Sequence, residues 1–343
     1  MDFNLNKYQS QSAEKSKRKL KVLILGTGPA GLSAALYAAR ANLDPVVLTG
    51  SEHGGQVSLT YTVENYPGFP EGIGGTEMVE LFQKQAERFG AIVEYDSATK
   101  VDLSNRPFLV ETYNTDYLAD SLIIATGATP RHLEISGERE LTGRGVSYCA
   151  TCDGWFFKNK DVIVVGGGDS AVEESIFLTR YANSVTIIHR RDELRAGAVL
   201  QARAFENPKI KFIWNTIPVE IVGKETVQAI RLKDVLTGEV QELPIDGVFI
   251  FIGHTPNTQL FENQITMDPA GYIITDKRMR TNIPGVYAAG EVADPIYRQV
   301  ITSAGMGAAA AIQANHFLDE GAGELSPEKA AEASAGKLAL KER

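Results

Sequence analysis

The sequence predicts an α/β protein made of two similar three-layer units, the second inserted into the first. A strand, a glycine-rich loop and a helix follow one another after Lys19, and the same pattern returns at Asp161. Gly26 of the first loop corresponds to Gly166 of the second, an offset of 140 residues. A chain of 343 residues favours two domains, and residues 253–257 are typical of a linker back to the first unit.

The composition limits the class of protein. Hydrophobic residues make up 43% and charged residues 22% of the chain, as in globular proteins, and no apolar run reaches membrane-spanning length. The net charge of −9 and the absence of a basic stripe argue against nucleic acid as a partner. No secretion signal is recognisable, and two cysteines in a chain of this size fit a reducing compartment. We therefore expect a cytoplasmic protein without membrane association.

The first glycine loop has the spacing of a dinucleotide site. An apolar strand at residues 20–25 leads into GTGPAG at residues 26–31, and a helix pattern runs from Leu32 to Ala41. In G-x-G-x-x-G the first glycine makes the turn, the second lets a pyrophosphate approach, and the third allows close helix packing. The next strand, residues 45–48, ends without the acid that usually binds the ribose. The pattern predicts a Rossmann-like dinucleotide-binding domain.

Further strands are predicted at residues 92–95, 108–112, 121–124 and 285–289, and helices at residues 76–89 and 301–318. The strand at residues 121–124 ends in Ala125, Thr126 and Gly127, small residues that let the chain pass close to a cofactor. The strand at residues 285–289 ends at Gly290 and Glu291, whose carboxylate can accept a hydrogen bond from a ribityl hydroxyl. These strand ends therefore belong to the predicted site.

The two cysteines of the chain, Cys149 and Cys152, are separated by two residues and followed by Asp153. This spacing lets both sulfurs meet at the start of a helix, where the dipole and free N–H groups lower a thiol pKa. Thiol–disulfide exchange runs through a mixed disulfide that the second cysteine resolves, and Asp153 can carry the proton. A zinc site would need four ligands, and other signs of a disulfide scaffold are missing. A redox-active dithiol is favoured, with no bound metal.

The second glycine loop repeats the first. A strand at residues 161–165 leads into GGGDSA at residues 166–171, then a helix at residues 172–181 and a strand at residues 184–188. The strand ends in HRRDELR, which places three arginines where an adenine dinucleotide carries its ribose. Guanidinium groups bind phosphate oxygens, so this segment favours the 2′-phosphate of NADPH over NADH. The alternative interpretation of the HRRDELR segment is a solvated basic turn.

His254 lies in the predicted linker, and we interpret its role as structural.

In combination, these motifs resemble the low-molecular-weight thioredoxin reductases, flavoproteins of the pyridine nucleotide-disulfide oxidoreductase family. The resemblance covers residues 19–320 and rests on GTGPAG, GGQ, ENYPG, ATGA, CATCDG, GGGDSA, HRRDELR, GHTPN and GEVAD. It implies a discontinuous FAD-binding domain, residues 19–130 and 258–320. Residues 131–257 would form the inserted NADPH-binding domain, which carries the redox Cys pair. Residues 1–18 are expected to be a flexible segment and residues 321–343 a polar tail.

The resemblance also implies the residues that contact each cofactor. For FAD these are Gly26, Gly28, Pro29, Ala30, Gly31, Gly54, Gly55, Gln56, Asn65, Ala125, Thr126, Gly127, Gly290, Glu291, Arg298, Gln299 and Val300. For NADPH these are Gly166, Gly167, Gly168, Asp169, Ser170, Ala171, His189, Arg190, Arg191 and Arg195. The family usually has Asp where this chain has Glu291. We expect the longer side chain to re-seat its hydrogen bond to the ribityl chain and FAD to be retained.

The activity implied by the resemblance is that of an NADPH-dependent thioredoxin reductase. NADPH reduces FAD, FAD reduces the Cys149–Cys152 disulfide, and the dithiol reduces oxidised thioredoxin. Cys152 would be the flavin-facing thiol, Cys149 would attack the substrate disulfide, and Asp153 would donate the proton. The family works as a homodimer whose two domains rotate against each other.

Three other functions are open on the sequence alone. A ferredoxin-fed reductase would be expected to have lost the second nucleotide motif, which is intact here. A peroxidase-linked flavoprotein would carry an additional dithiol domain. A flavin-binding redox sensor without enzymatic activity would not need an intact NADPH site beside an intact dithiol.

Overall fold

The computed structural model describes residues 15–60 and 62–320. The strands are β1 Ser16–Leu25, β2 Val46–Leu48, β3 Ile92–Glu94, β4 Ala98–Asp102, β5 Phe108–Thr112, β6 Thr115–Ile124, β7 Ala128–Pro130, β8 Val146–Ser147, β9 Asp161–Val165, β10 Ser184–Ile188, β11 Ile210–Ile213, β12 Thr216–Gly223, β13 Val227–Asp234, β14 Val240–Pro244, β15 Gly247–Ile250, β16 His254–Pro256 and β17 Val286–Ala288. The α-helices are α1 Pro29–Arg40, α2 Gly75–Arg88, α3 Ala150–Asp153, α4 Asp169–Leu178, α5 Ala198–Phe205 and α6 Val300–Asp319. Short 3-10 helices lie at Gly55–Leu59, Gly154–Phe157 and Gln259–Phe261.

The chain folds into two compact units that are not contiguous in sequence. The first comprises the described residues of 1–55, 80–127 and 257–343. The second comprises the described residues of 56–79 and 128–256. Most of the second unit is therefore inserted between two segments of the first.

The first unit is built on one sheet with strand order β3-β2-β1-β6-β5-β4. Strand β17 pairs with the last residues of β6, beyond the part of β6 that pairs with β5. Strands β3, β2, β1, β6 and β17 are parallel, whereas β4 and β5 form an antiparallel hairpin extension. Both faces of β1 are buried: Leu23 and Leu25 belong to one hydrophobic cluster, Val22 and Ile24 to the other. This burial explains the continuous apolar run in the sequence.

The second unit repeats this plan in a smaller sheet. Its strand order is β11-β10-β9-β15-β8, and all of these pairings are parallel. Val162 and Val164 pack with α4, while Ile163 and Val165 pack with the antiparallel sheet β12-β13-β14. Strands β7 and β16 form a separate antiparallel pair. Each unit thus has a central parallel sheet covered on both faces, and the predicted fold class is confirmed.

Several element boundaries differ from those predicted. Helices α1 and α4 begin at Pro29 and Asp169, three residues earlier than predicted, because each glycine loop turns directly into its helix and Pro29 is pre-organised for the first helical position. The predicted linker at residues 253–257 contains strand β16.

The expectation of a flexible segment at residues 1–18 is wrong for its last residues. Strand β1 begins at Ser16, and residues 16–18 pair in parallel with Thr115–Tyr117. Backbone pairing with a distant strand overrides the polar local composition. The remainder of that prediction at residues 1–14, and the predicted tail at residues 321–343, lie outside the described residues.

Candidate active site

The dithiol segment connects strand β8 to helix α3 in the second unit. Cys149 has extended backbone angles at the N-cap of α3, and its sulfur accepts a hydrogen bond from the Cys152 N–H at 3.2 Å. Cys149 and Cys152 are joined by a disulfide, with their Cα atoms 5.3 Å apart. The Cys-x-x-Cys spacing therefore brings both sulfurs to the start of a helix, where N–H groups favour a thiolate.

Asp153 ends the same helix turn. Burial raises the pKa of its carboxyl group, and a hydrogen bond from the Ser147 side chain acts in the opposite direction. The Ser147 hydroxyl is itself buried and accepts the Cys149 N–H at 3.1 Å. A carboxyl group with a raised pKa, next to a dithiol, can hold and deliver a proton nearer to neutral pH.

The first glycine loop forms a cradle at the carboxyl end of β1. Gly26 has φ +107°, and a Cβ there would lie 2.3 Å from the Ala125 carbonyl oxygen. A Cβ at Gly31 would lie 1.9 Å from the Gly26 carbonyl oxygen. At Gly28, in contrast, a Cβ would meet only the Gly54 oxygen at 3.9 Å. The first and third glycines thus satisfy close packing, and the second leaves room for a ligand phosphate at the start of α1.

Other predicted residues of the first unit converge on this loop. A Cβ at Gly290, which has φ +79°, would lie 2.9 Å from the Ala30 Cβ, so the end of β17 meets the start of α1. Thr126 donates its hydroxyl to the Asn257 carbonyl at 2.7 Å, which fixes the end of β6. Gly55 lies against Gly28, whose Cα would be 3.5 Å from an added Cβ. Gln56 and Asn65 lie in the second unit.

Glu291 follows Gly290 at the carboxyl end of β17. Burial raises the pKa of its carboxyl group to about 7; the charge of Arg298 opposes this shift and that of Asp294 adds to it. Asp294 accepts backbone N–H groups of Ile296 and Tyr297 at 2.9 and 3.0 Å, which shapes the turn before α6. The turn brings Arg298 near Glu291 and next to Gln299, the N-cap of α6.

A cavity of about 310 Å³ opens beyond the carboxyl ends of β2 and β3. It is lined by Thr49, Gly50, Ser51, His53, Tyr95, Asp96, Ser97, Tyr113 and Asn114. Sequence reasoning missed its residues apart from the end of β2. These residues come together because β2 and β3 pair in parallel, with Leu48 opposite Glu94, so both strands end at a common edge, and the sequence carries no local signal of that pairing.

The second glycine loop has the same construction at the end of β9. A Cβ at Gly166, which has φ +150°, would lie 2.4 Å from the Phe251 carbonyl oxygen. A Cβ at Gly167 would lie 2.5 Å from the His189 ring, whereas at Gly168 it would meet only Arg195 at 3.9 Å. Asp169 accepts the Gly197 N–H at 2.7 Å. Gly168 again provides open backbone at the start of a helix, next to a guanidinium group.

The predicted arginine cluster surrounds His189. Burial lowers the pKa of this imidazole, and the positive charges of Arg195, Arg190 and Arg191 lower it further. His189 is only 6% exposed, and its Nε2 atom has no hydrogen-bond partner among the described residues. The three arginines are exposed. The end of β10 thus presents clustered positive charge to an anionic ligand.

Comparison with known proteins gives the class. Residues 20–307 match the family described as pyridine nucleotide-disulphide oxidoreductase, and the chain belongs to this family. None of the helices in the described part of the chain has the length and apolar character of a membrane span.

Within this class, several relatives of about 50% identity are thioredoxin reductases. The thioredoxin reductase of Rickettsia conorii is 51% identical over 305 residues, covering 88% of this chain and 98% of the relative. That of Streptomyces coelicolor is 49% identical over 317 residues, covering 90% and 98%. The crystal structure of thioredoxin reductase from Streptococcus pyogenes has a TM-score of 0.85 at 44% identity, covering 89% of this chain and all of that one. The resemblance found in the sequence motifs is therefore confirmed.

Proposed function

We propose that Cys149 and Cys152 are the redox-active pair through which this chain reduces the disulfide of thioredoxin. The activity is that of an NADPH-dependent thioredoxin-disulfide reductase, and the cofactors are FAD and NADPH, in accordance with relatives of 49 to 53% identity. The observation that carries the assignment to these residues is the Cys149–Cys152 disulfide at the start of α3, directly before the half-buried carboxyl group of Asp153, whose pKa is raised.

FAD is assigned to the domain formed by residues 19–130 and 258–320. The fit is supported by the open backbone at Gly28 and by the closely packed Gly26 and Gly31. These features favour a pyrophosphate at the start of α1. The cavity beside Thr49 and Tyr95 would take the adenosine part. The remaining contacts are assigned to Pro29, Ala30, Gly54, Gly55, Gln56, Asn65, Ala125, Thr126, Gly127, Gly290, Glu291, Arg298, Gln299 and Val300.

NADPH is assigned to the domain formed by residues 131–257. Gly168 offers open backbone, and the positive charges near His189 suit a 2′-phosphate. The contacts are assigned to Gly166, Gly167, Gly168, Asp169, Ser170, Ala171, His189, Arg190, Arg191 and Arg195.

Trp214 is an additional residue for this site. Ile213 pairs with Ile188 as Glu94 pairs with Leu48, so Trp214 follows β11 as Tyr95 follows β3. Its indole ring stacks on Phe212 with centroids 5.1 Å apart, which fixes the ring at the strand end. It would offer an aromatic surface to adenine.

When bound, the cofactors supply hydride transfer from the nicotinamide and delivery of electrons to the disulfide. The chain itself performs thiol–disulfide exchange. The Cys149 thiolate attacks one sulfur of the thioredoxin disulfide, and the other sulfur leaves as a thiolate. The Cys152 thiolate then attacks the Cys149 sulfur, which restores the internal disulfide and releases thioredoxin as a dithiol. Asp153 supplies the proton to a leaving thiolate.

The proposal also includes the assembly and the compartment of the protein. The resemblance supports a homodimer, and the low cysteine content supports the cytoplasm.

The experiment that tests the proposed residues replaces each cysteine separately. Cys149→Ser is expected to abolish thioredoxin reduction while NADPH still reduces the flavin, because only the exit of electrons is blocked. Cys152→Ser is expected to abolish thioredoxin reduction as well, since no internal disulfide can form. Retention of thioredoxin reduction by Cys149→Ser would exclude it as the attacking residue.

A further inference from the structure

Tyr148 directly precedes Cys149 and ties the dithiol segment to an earlier loop. Its hydroxyl group donates a hydrogen bond to the Glu138 Oε1 atom at 2.7 Å. The same hydroxyl lies 2.9 Å from the His132 Nδ1 atom, and the two rings meet edge to face at 5.3 Å. Because the hydroxyl hydrogen goes to Glu138, the tyrosine oxygen is left to accept a hydrogen from His132 Nδ1.

Glu138 is a fixed anchor for this tyrosine. Its side chain is 1% exposed. Its two oxygens accept the backbone N–H groups of Leu133 at 3.0 Å and Glu134 at 2.7 Å. Burial and the bond to Glu138 raise the pKa of the Tyr148 hydroxyl, so it remains a donor at all physiological pH values. A buried carboxylate needs such donors, and removal of one is costly.

The other restraints on Cys149 change when the disulfide opens. The S–S bond is lost, and the hydrogen bond from the Cys152 N–H ends on the same sulfur that must move to a substrate. Several contacts hold this segment without involving the sulfur. The Cys149 N–H donates to the Ser147 hydroxyl at 3.1 Å, and the Asp153 N–H donates to the Cys149 carbonyl at 3.2 Å. Tyr148, the residue before Cys149, donates to Glu138. We expect these contacts to remain when the disulfide opens.

We infer that Tyr148, held by Glu138 and His132, is a positioning residue that keeps the Cys149 backbone in place while the disulfide is open. The inference rests on the proposed redox role of the dithiol. Re-closure by Cys152 is an intramolecular reaction, whose rate and equilibrium depend on how well the two sulfurs are pre-positioned. A loosened Cys149 raises the entropy of the open form, so the disulfide forms less readily.

The test is the equilibrium between the Cys149–Cys152 disulfide and dithiothreitol, measured on the FAD-containing protein by thiol trapping and mass spectrometry. Tyr148→Phe removes only the hydroxyl group and is expected to lower the equilibrium constant for disulfide formation by up to about 10-fold, because the S–S bond replaces the lost restraint in the closed form and nothing replaces it in the open form. Thioredoxin reduction is expected to slow, while flavin reduction by NADPH keeps its rate.

Tyr117→Phe is the matched control. Tyr117 is 1% exposed and also donates its hydroxyl to a carboxylate, that of Glu94, but it lies in the first unit. Its removal is expected to lower stability similarly and to leave the dithiol equilibrium unchanged. Equal equilibrium constants in the two variants would overturn the inference.

Glu138→Gln decides the question if Tyr148→Phe does not fold. The amide retains the shape of the carboxylate and one acceptor oxygen. We therefore expect the equilibrium constant for disulfide formation to fall about 3-fold, less than when the hydroxyl is removed. An unchanged constant in this variant contradicts the inference. The equilibrium needs neither NADPH nor thioredoxin. A wild-type protein that fails to reduce thioredoxin would therefore refute the proposed function without deciding the role of Tyr148.

Discussion

Asp153 and Glu291 are half-buried, and the pKa values of their carboxyl groups are raised for the same reason. In each case burial is the largest cause, because a charged carboxylate loses its hydration. Asp153 lies one residue after Cys152 and can hold a proton for the thiols. Glu291 lies at the end of β17, where the proposed flavin contacts converge. The raised pKa of Asp153 therefore leads to a prediction for activity, and that of Glu291 leads to a prediction for stability.

Asp153→Asn is expected to lower thioredoxin reduction by about 10²- to 10⁴-fold, the usual contribution of a general acid. The asparagine amide keeps the shape but cannot transfer a proton. Flavin reduction by NADPH is expected to keep its rate in a stopped-flow measurement. Asp120→Asn, at an exposed position, serves as the control. A full turnover rate in Asp153→Asn would show that another group supplies the proton.

Glu291 is expected to make the FAD-free protein less stable as the pH rises from 4.5 to about 7. Over this range the unfolded chain has released the proton and the folded chain still holds it, so the unfolded state binds fewer protons and stability falls. The full effect is about 3 kcal/mol. Urea unfolding at several pH values should show this slope, and Glu291→Gln should remove it. An identical slope in both proteins contradicts the assignment.

Helix α6 packs on α1 through its small residues. A Cβ at Gly307 would lie 1.9 Å from the Ala30 carbonyl oxygen, whereas one at Gly305 would meet nothing within 4 Å. Helix α1 carries the glycine loop proposed for FAD, so its contact with α6 supports the site as well as the fold. A side chain is therefore excluded at Gly307, whereas there is room for one at Gly305 of the same helix.

Gly307→Ala is expected to lower the free energy of unfolding by about 1–3 kcal/mol and to weaken FAD retention, because α1 must shift. Gly305→Ala is expected to raise the free energy of unfolding by up to about 1 kcal/mol, as alanine is the better helix former. Urea unfolding, with FAD release followed by fluorescence, measures both quantities. Equal effects of the two substitutions would show that α1 and α6 are not in close contact.

The segment after β10 is proposed to determine the choice between NADPH and NADH. Arg191→Ala is expected to raise KM for NADPH by about 10- to 100-fold, since a hydrogen bond to a charged group contributes roughly 1.5–3 kcal/mol. The KM for NADH should remain unchanged, because NADH lacks the 2′-phosphate. Arg203→Ala, on the exposed side of α5, is the control. Equal losses with both cofactors would indicate a structural role for Arg191.

For the molecule as a whole, the sequence reveals the features that are encoded in short continuous segments, namely the buried strands, the two glycine loops and the dithiol. Strands β9 and β10 have the predicted limits, because buried strands are largely apolar runs with clear ends, and β5, whose residues alternate between buried and half-buried, also has the predicted limits. The two glycine loops and the dithiol between them are enough to predict both cofactors. Pairings between distant segments cannot be found in this way. Ser16 pairs with Thr115, and the cavity proposed for adenosine depends on the alignment of β2 with β3. Tyr148 meets Glu138 only because the intervening loop folds back.

The proposed electron path is tested most directly by an anaerobic titration of the purified protein with NADPH, and with NADH in parallel, followed by flavin absorbance. NADPH should bleach the flavin rapidly and NADH slowly, because of the arginines near His189. Addition of oxidised thioredoxin should then restore the absorbance through Cys149 and Cys152. A flavin that remains oxidised with both nucleotides, or that stays bleached after thioredoxin is added, would contradict the proposed electron path.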